Sequence, residues 1–174
     1  NFNTVQLFDG AEFNYRDIPK IGKTALILLS QSGETLDLVR CIKIGKDNNL
    51  FLIGIVNVVD SLIARSVNCG CYLNAGREVA VASTKSFTSQ VILLSMLAIW
   101  FSQIHKTKDN IKDKYIKDLR NLKMSIEKTI SVSYKIIEQI LKYFNHNSCF
   151  LLGKGKAEAI AKEGALKIKE ISYI

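Results

Sequence analysis

The segment with the clearest chemical potential is residues 30–35, SQSGET, which combines hydroxyl side chains with a glycine. It follows the apolar run 25–29 and precedes residues 36–46, whose apolar positions recur at helical spacing. A turn between a strand and the amino end of a helix offers free N–H groups and a positive dipole end. Hydroxyls add donors, and Gly33 can adopt backbone angles closed to other residues. The segment therefore indicates either a phosphate cradle or a plain capped turn with Ser32 as the N-cap.

A second chemical candidate lies near the end of the chain. Glu163, Lys167 and Glu170 are spaced four and three residues apart, so a helix would place them on one face. A carboxylate beside an ammonium group can act as an acid or base once its surroundings shift its pKa. The same spacing is also typical of a surface salt-bridge ladder, and spacing alone favours that simpler interpretation.

The elements that would position these residues alternate along the chain. Apolar runs at 25–29, 51–56 and 69–73 predict strands, with helices at 36–46 and 61–67 between them. Strands that are apolar throughout favour a parallel sheet covered by helices on both faces. Ligands of such sheets bind beyond the carboxyl ends of the strands. The polar residues Ser30, Asn57 and Asn74 each lie at the carboxyl end of one predicted strand. Short strands are also predicted at residues 5–8 and 148–152.

Helices dominate the rest of the chain. Residues 86–104 predict a long helix, capped by Ser83 or Thr84, whose nearly all-round apolar surface indicates burial, with Met96 and Trp100 in the core. Its most apolar part, 91–101, is too short to span a bilayer. Residues 105–144 predict one or two amphipathic helices, and another helix begins at residue 156. The sequence GKG at 153–155 invites a dinucleotide-binding interpretation, which fails because Glu158 occupies the third glycine position.

Composition limits the function classes. The chain has 174 residues, a net charge of +8 and 48% hydrophobic residues, which suits one globular domain or one domain and part of another. Most lysines lie in the helical region 105–142 without interleaved aromatic residues, so we expect no nucleic-acid partner. No targeting signal is recognisable, which predicts a cytoplasmic protein without a membrane partner. The chain starts at Asn1, not Met, and therefore looks like a piece of a longer protein.

Cysteine and histidine usage gives no sign of a metal site. No C-x-x-C motif or histidine pair at zinc spacing occurs. We expect the cysteines to be buried free thiols in a reducing compartment; they are Cys41, Cys69, Cys71 and Cys149. His105 and His146 have no partner at a telling spacing, and neither is assigned a role.

Three segments resemble one enzyme family. The SQSGET segment resembles the phosphosugar-binding signature of sugar isomerase (SIS) domains. Residues 74–88, NAGREVAVASTKSFT, are similar to the family segment AG-x-E-x-x-VASTKA-[FY]-T. Residues 152–155, LGKG, and 162–174, KEGALKIKEISYI, look like the family stretch LGRG…LEGALKLKEISYI. Together they resemble the isomerase part of glutamine:fructose-6-phosphate amidotransferases, also called glucosamine-6-phosphate synthases, over about residues 5–104 and 148–174.

The resemblance implies a fold and an activity. The fold would be the α/β, three-layer αβα SIS fold, a parallel sheet flanked by helices. Residues 1–104 would form the first SIS lobe without its start, 105–147 a helical connection, and 148–174 the start of a second lobe. The enzyme would be an isomerising glutamine:fructose-6-phosphate transaminase, which converts fructose 6-phosphate and glutamine-derived ammonia to glucosamine 6-phosphate in hexosamine biosynthesis. It would need no cofactor or metal, would take ammonia from a glutaminase domain missing here, and would be a homo-oligomer.

The resemblance also implies roles for single residues. The phosphate would be held by Ser30, Gln31, Ser32 and Thr35. The sugar would be lined by Val81 (through its backbone), Ala82 and Ser83. Glu170 would move the proton between C1 and C2, with Lys167 assisting. The family's upstream GTS segment, its HGP histidine and its carboxyl-terminal lysine are not in this sequence, so the chain alone is expected to bind better than it catalyses. The alternatives are a non-catalytic SIS module that senses phosphosugars and a SIS isomerase for another phosphosugar.

Overall fold

Three parallel strands in the order β1-β2-β3 form the sheet of the computed structural model, which describes residues 4–105, 110–143 and 147–173. The strands are β1 (Ala25–Ser30), β2 (Phe51–Val56) and β3 (Cys69–Tyr72). Ser30 pairs with Val56, and Val56 pairs with Tyr72, so the carboxyl ends of all three strands meet at one edge. The strands predicted at 25–29, 51–56 and 69–73 and their parallel arrangement are confirmed.

Two helices connect these strands and cover the sheet. They are α1 (Leu36–Asp47) and α2 (Leu62–Ser66), close to the predicted bounds. The buried core joins both helices to the sheet and contains Phe13, Leu28, Cys41, Ile42, Leu52, Val56 and Ile63. Gly45 of α1 faces β2 so closely that a Cβ there would lie 2.6 Å from Leu52 Cδ2. Burial of each large core side chain stabilises the fold by about 1.5–3 kcal/mol, and this core fixes the position of the turn after β1.

The remaining helices are α3 (Lys85–Ile104), α4 (Asn110–Arg120), α5 (Leu122–Ile140) and α6 (Lys156–Ser172). The chain divides into two compact units, Asn1–Val79 with Ser83–Leu97, and Ala80–Ala82 with Ala98–Ile174. The predicted helices are thus confirmed. Residue 144, at which the predicted amphipathic helices end, and His146 lie outside the described residues.

Two predicted strands are wrong. Residues 5–8 and 148–152 carry no strand, although both runs are apolar. A strand requires a neighbour that accepts and donates its backbone hydrogen bonds, and no described residue pairs with either run. Apolar character indicated a preference for burial in these segments, but not that a partner strand is available.

The surface of α3 also differs from prediction. Met96 is 54% exposed and Trp100 is 53% exposed, and Ser86 is the only buried residue of this helix. Burial of Met96 and Trp100 is the expectation from the sequence, and their exposure shows that it is wrong for the part of the chain described. The helix α3 has 20 residues, and an 18-residue window within it has a mean hydropathy of 1.5, so by length and composition it could cross a bilayer, unlike its 91–101 part alone. Core helices of soluble proteins meet the same criteria.

The cysteines are less buried than predicted. Cys41 is buried on α1, and this burial raises the pKa of its thiol. Cys69, Cys71 and Cys149 are exposed, so the prediction of burial is wrong for these three. For Cys69 and Cys71 the reason is topological, because β3 is an outer strand of the described sheet and has a neighbour on one side only.

Candidate functional site

The turn after β1 is held together by Ser30. This residue ends the strand, is 5% exposed, and its hydroxyl accepts a hydrogen bond from the Gly33 N–H at 3.0 Å. The same hydroxyl shares a hydrogen bond of 2.9 Å with the Thr35 hydroxyl. Ser30 therefore joins the middle and the end of the turn, and the turn closes around its side chain.

The amino end of α1 is not capped as the simpler interpretation expected. Ser32 Oγ accepts a hydrogen bond from the Glu34 N–H at 3.1 Å, within the turn and before the helix. The N-cap position belongs to Thr35, whose side chain makes no cap hydrogen bond. The prediction of Ser32 as the N-cap is therefore wrong. The first N–H groups of α1 have no acceptor from the capping side chain, which suits an anion at this helix end.

Gly33 is required by both conformation and space. Its φ is +68°, in the left-handed region that favours glycine. A Cβ at this position would lie 2.0 Å from Ser61 Oγ, which is buried and has no hydrogen-bond partner among the described residues. The Gly33 carbonyl accepts from the Ile63 N–H at 2.9 Å, and Glu34 Oε1 accepts from the Leu62 N–H at 2.7 Å. The start of α2 thus fixes the turn through two hydrogen bonds.

Asn57, at the end of β2, links the turn to the segment after β3. Its N–H donates to the Gln31 carbonyl at 3.1 Å. Its side-chain amide donates to the Gly76 carbonyl at 2.7 Å, and its Oδ1 accepts from the Ala75 N–H at 2.9 Å. The predicted gathering of strand ends is therefore present, and Asn57 is a positioning residue that sequence reasoning placed there without a role.

The segment before α3 is organised by Glu78. Its Oε1 accepts hydrogen bonds from the Ser86 N–H at 2.9 Å and from the Ser86 hydroxyl at 2.7 Å. These two bonds to Ser86 are the main cause that lowers the pKa of the Glu78 carboxyl. Glu78 therefore caps α3, in place of the predicted Ser83 or Thr84. Of the predicted sugar-lining residues, Val81 is exposed, Ala82 is buried and Ser83 is half-buried.

The ion-pair arrangement predicted on α6 is present. Lys167 Nζ lies 2.9 Å from Glu170 Oε2 and 3.5 Å from Glu163 Oε1. These side chains are 22–31% exposed, which is less than the typical surface ladder that spacing alone favoured. The hydrogen bond to Glu170, followed by the charge of Glu163, raises the pKa of Lys167. The lysine therefore remains protonated and holds the Glu170 carboxylate in place.

Comparison with known proteins shows the family. The SIS domain family matches residues 1–100, more than half of the chain. The chain belongs to the SIS domain family. A solved structure, the C-terminal domain of glucosamine-fructose-6-phosphate aminotransferase from Francisella tularensis, shares 32% sequence identity with a TM-score of 0.80. That likeness covers 92% of this chain and 47% of the other, and it confirms the predicted SIS fold.

Curated relatives carry similar names. A protein of Acanthamoeba polyphaga mimivirus, named probable glutamine--fructose-6-phosphate aminotransferase [isomerizing], is 54% identical over 98% of this chain. The glutamine--fructose-6-phosphate aminotransferase [isomerizing] of Clostridium acetobutylicum is 39% identical over 98%, and its type 2 counterpart from Mus musculus is 37% identical over 94%. The chain spans only 24–28% of the length of these relatives.

Within this SIS chain, the structure brings some predicted residues together. Ser30 and Thr35 share a hydrogen bond, with Gln31 and Ser32 in the same turn, and Lys167 joins Glu170 on α6. The turn belongs to the first unit and α6 to the second. Among the described residues, no group of three or more His, Cys, Asp or Glu side chains could hold a metal ion. The motif AG-x-E carried the signal for Glu78, but its hydrogen bonds depend on a turn that spacing did not reveal.

Proposed function

We propose that this chain forms the isomerase part of an isomerising glutamine:fructose-6-phosphate aminotransferase that makes glucosamine 6-phosphate. The observation that carries the proposal is the built turn after β1, in a chain that aligns over 98% of its length with an aminotransferase 54% identical to it. The whole activity is part of the proposal, since the chain spans about a quarter of such proteins. The reaction would need glutamine-derived ammonia from a separate glutaminase domain.

The first step of the proposal is phosphate binding at the turn. The amino end of α1 offers backbone N–H groups together with the positive end of a helix dipole, whereas the N–H groups of Gly33 and Glu34 already donate to the Ser30 and Ser32 hydroxyls. The Ser32 hydroxyl accepts from Glu34 N–H, and this bond leaves its own hydrogen to be donated to a phosphate oxygen. The Ser30 hydroxyl binds Thr35 and Gly33, and it would act mainly by keeping the turn in shape. Gln31 and Thr35 would supply the remaining donors.

The second step is sugar binding and proton transfer. Ser83, Ala82 and the backbone of Val81 would line the sugar. Glu170 would take a proton from C1 of the ketose imine and return it to C2, which gives the amino aldose. Lys167 would hold the Glu170 carboxylate through their 2.9 Å hydrogen bond and remain charged throughout.

The proposal extends to the surroundings of the chain. We propose that residues 1–104 belong to a first SIS lobe, 105–147 to a helical connection and 148–174 to the start of a second lobe. The protein would be cytoplasmic and homo-oligomeric, as expected for a metabolic enzyme of this kind.

Calorimetric titration of the intact protein with fructose 6-phosphate, fructose and inorganic phosphate would test the proposal. Saturable binding of the phosphosugar, much tighter than that of either part, is the expected result. In the same titration, Ser32→Ala removes a proposed phosphate donor, and Ser125→Ala is its matched serine control, because Ser125 is exposed and its hydroxyl donates to the Asn121 carbonyl at the start of α5. Equal binding of fructose 6-phosphate and inorganic phosphate would contradict a site that recognises the sugar. Tight binding without turnover would favour the phosphosugar-sensing alternative.

A further inference from the structure

Glu78 is the acidic residue of the AG-x-E segment, and neither the proposed phosphate binding nor the proposed proton transfer involves it. Its Oε1 is the acceptor of four hydrogen bonds at the start of α3. Ser86 donates from its N–H at 2.9 Å and from its hydroxyl at 2.7 Å, Thr84 N–H donates at 3.2 Å, and Ser83 Oγ at 3.4 Å. The Ser83 and Ser86 hydroxyls also bond each other. One carboxylate thus connects a helix end to a predicted sugar-lining side chain.

The burial of Ser86 fixes the hydrogen-bond partners of its hydroxyl. Ser86 is 0% exposed, so its hydroxyl cannot exchange its partners for water. An ionised carboxylate accepts hydrogen bonds and donates none. The lowered pKa of Glu78 keeps the carboxylate ionised at neutral pH. The single hydrogen of the Ser86 hydroxyl is therefore directed to Glu78.

The direction of the next hydrogen bond follows from the first. Because Ser86 has already donated its hydrogen to Glu78, its oxygen must accept in the bond with Ser83. The Ser83 hydroxyl is consequently the donor, whether toward Ser86 or toward Glu78. Its oxygen keeps lone pairs for another partner, and a hydroxyl group of a sugar is a donor that fits them.

We propose that Glu78 is a positioning residue that acts through Ser86 to hold Ser83 as a hydrogen-bond acceptor for a substrate hydroxyl. The inference rests on the proposed function, because it assumes that Ser83 faces the sugar of a phosphosugar. It assigns Glu78 to recognition of the sugar and not of the phosphate. Loss of the carboxylate should therefore affect fructose 6-phosphate binding and leave inorganic phosphate binding unchanged.

Glu78→Gln in the intact protein tests this inference, with Glu12→Gln as the control. Glutamine keeps the size of the side chain, but its amide can donate as well as accept, so the direction of the Ser86 bond is no longer fixed. We expect the Kd for fructose 6-phosphate to rise about tenfold, the scale of one hydrogen bond, with no change for inorganic phosphate. Glu12 is exposed and lies outside this cluster, so its variant should bind both ligands normally.

A double-mutant cycle with Ser83→Ala separates positioning from a general structural effect. If Glu78 acts through Ser83, then Ser83→Ala weakens fructose 6-phosphate binding in the wild-type background and has little further effect beside Glu78→Gln. Should Glu78→Gln fail to fold, Ser86→Ala removes the hydroxyl through which Glu78 acts on Ser83 and leaves only the long 3.4 Å contact between Ser83 Oγ and Glu78, while it keeps the carboxylate and the helix amide. The same selective loss is expected for Ser86→Ala.

The outcomes distinguish this inference from the proposed function. Unchanged fructose 6-phosphate affinity in Glu78→Gln and Ser86→Ala would overturn the inference alone, as would equal effects of Ser83→Ala in both backgrounds. If these variants also lost inorganic phosphate binding, the inference would likewise be overturned, because a general distortion of the site would then explain the loss in place of the positioning of Ser83. Absence of fructose 6-phosphate binding by the wild-type protein would overturn the proposed function, and the inference would fall with it.

Discussion

Replacement of Gly33 by alanine would test the construction of the turn after β1. Gly33 has a φ of +68°, and a Cβ there would lie 2.0 Å from Ser61 Oγ and 2.5 Å from Ser61 Cβ. Ser61 is buried at the N-cap of α2, so it cannot simply turn into solvent. Either α2 or the turn must therefore move to accommodate the added methyl group.

The expected loss of stability in Gly33→Ala has two contributions. The left-handed conformation costs an alanine about 1–2 kcal/mol relative to glycine, and overpacking of a well-filled site typically costs about 1–3 kcal/mol. We therefore expect Gly33→Ala to lower the free energy of unfolding by about 2–5 kcal/mol. Gly22 is a matched control, because its φ is +92° and nothing lies within 4 Å of its Cβ position. Gly22→Ala should lose only the conformational term, about 1–2 kcal/mol.

Urea titration of the intact protein, followed by circular dichroism, measures these differences. Ser61→Gly removes both clashing atoms, and glycine is tolerated at an N-cap at a cost of only a few tenths of a kcal/mol. In the Ser61→Gly background, Gly33→Ala should therefore cost about as much as Gly22→Ala does in the wild type. Phosphosugar affinity should fall in Gly33→Ala and recover in part in the double variant.

Two results would refute this reasoning. Equal destabilisation by Gly33→Ala and Gly22→Ala would mean that the contact with Ser61 contributes nothing. A Gly33→Ala variant with wild-type stability would mean that the turn does not hold Gly33 in a left-handed conformation.

The other predictions concern binding, turnover and pH. Ser32→Ala should weaken fructose 6-phosphate binding by about 1–2 kcal/mol in calorimetry, the scale of a hydrogen bond to a charged group. Glu170→Gln should lower turnover about 100-fold or more while it leaves phosphosugar affinity nearly intact, because it removes the base and not the phosphate contacts. The folded-state pKa of Glu78 lies below the usual 4.5, so its contribution to stability is complete above pH 4.5 and is lost as pH falls through the lowered value. The difference in unfolding free energy between wild type and Glu78→Gln should therefore be smaller at pH 3 than at pH 6.

Each of these has a contradicting outcome. Unchanged affinity in Ser32→Ala would mean that this hydroxyl does not bind the phosphate. Near wild-type turnover in Glu170→Gln would mean that Glu170 only forms a salt bridge. A difference between wild type and Glu78→Gln that does not shrink at acid pH would mean that the charge of Glu78 does not stabilise the start of α3.

The sequence by itself determined much of the local structure and the family. The continuous apolar runs located β1 and β2 within a residue, helical spacing located α1 and α3 equally well, and the GKG segment marked the start of α6. The same spacing correctly placed Lys167 between Glu163 and Glu170, because residues three and four apart on a helix are neighbours whatever else surrounds them. The segment 30–35 carried the resemblance to SIS domains, which the family match confirms.

Tertiary structure decided what the local pattern left open. Apolar runs at 5–8 and 148–152 predicted strands that do not form, because a strand depends on a partner distant in sequence. The exposure of Cys69, Cys71 and Trp100 likewise depends on which surfaces cover them. The bonds from Asn57 to Gly76 and from Glu78 to Ser86 join residues that no helical or strand period brings together. Such contacts arise only when strand ends and loops meet, so the residues that shape this site became visible only in the folded chain.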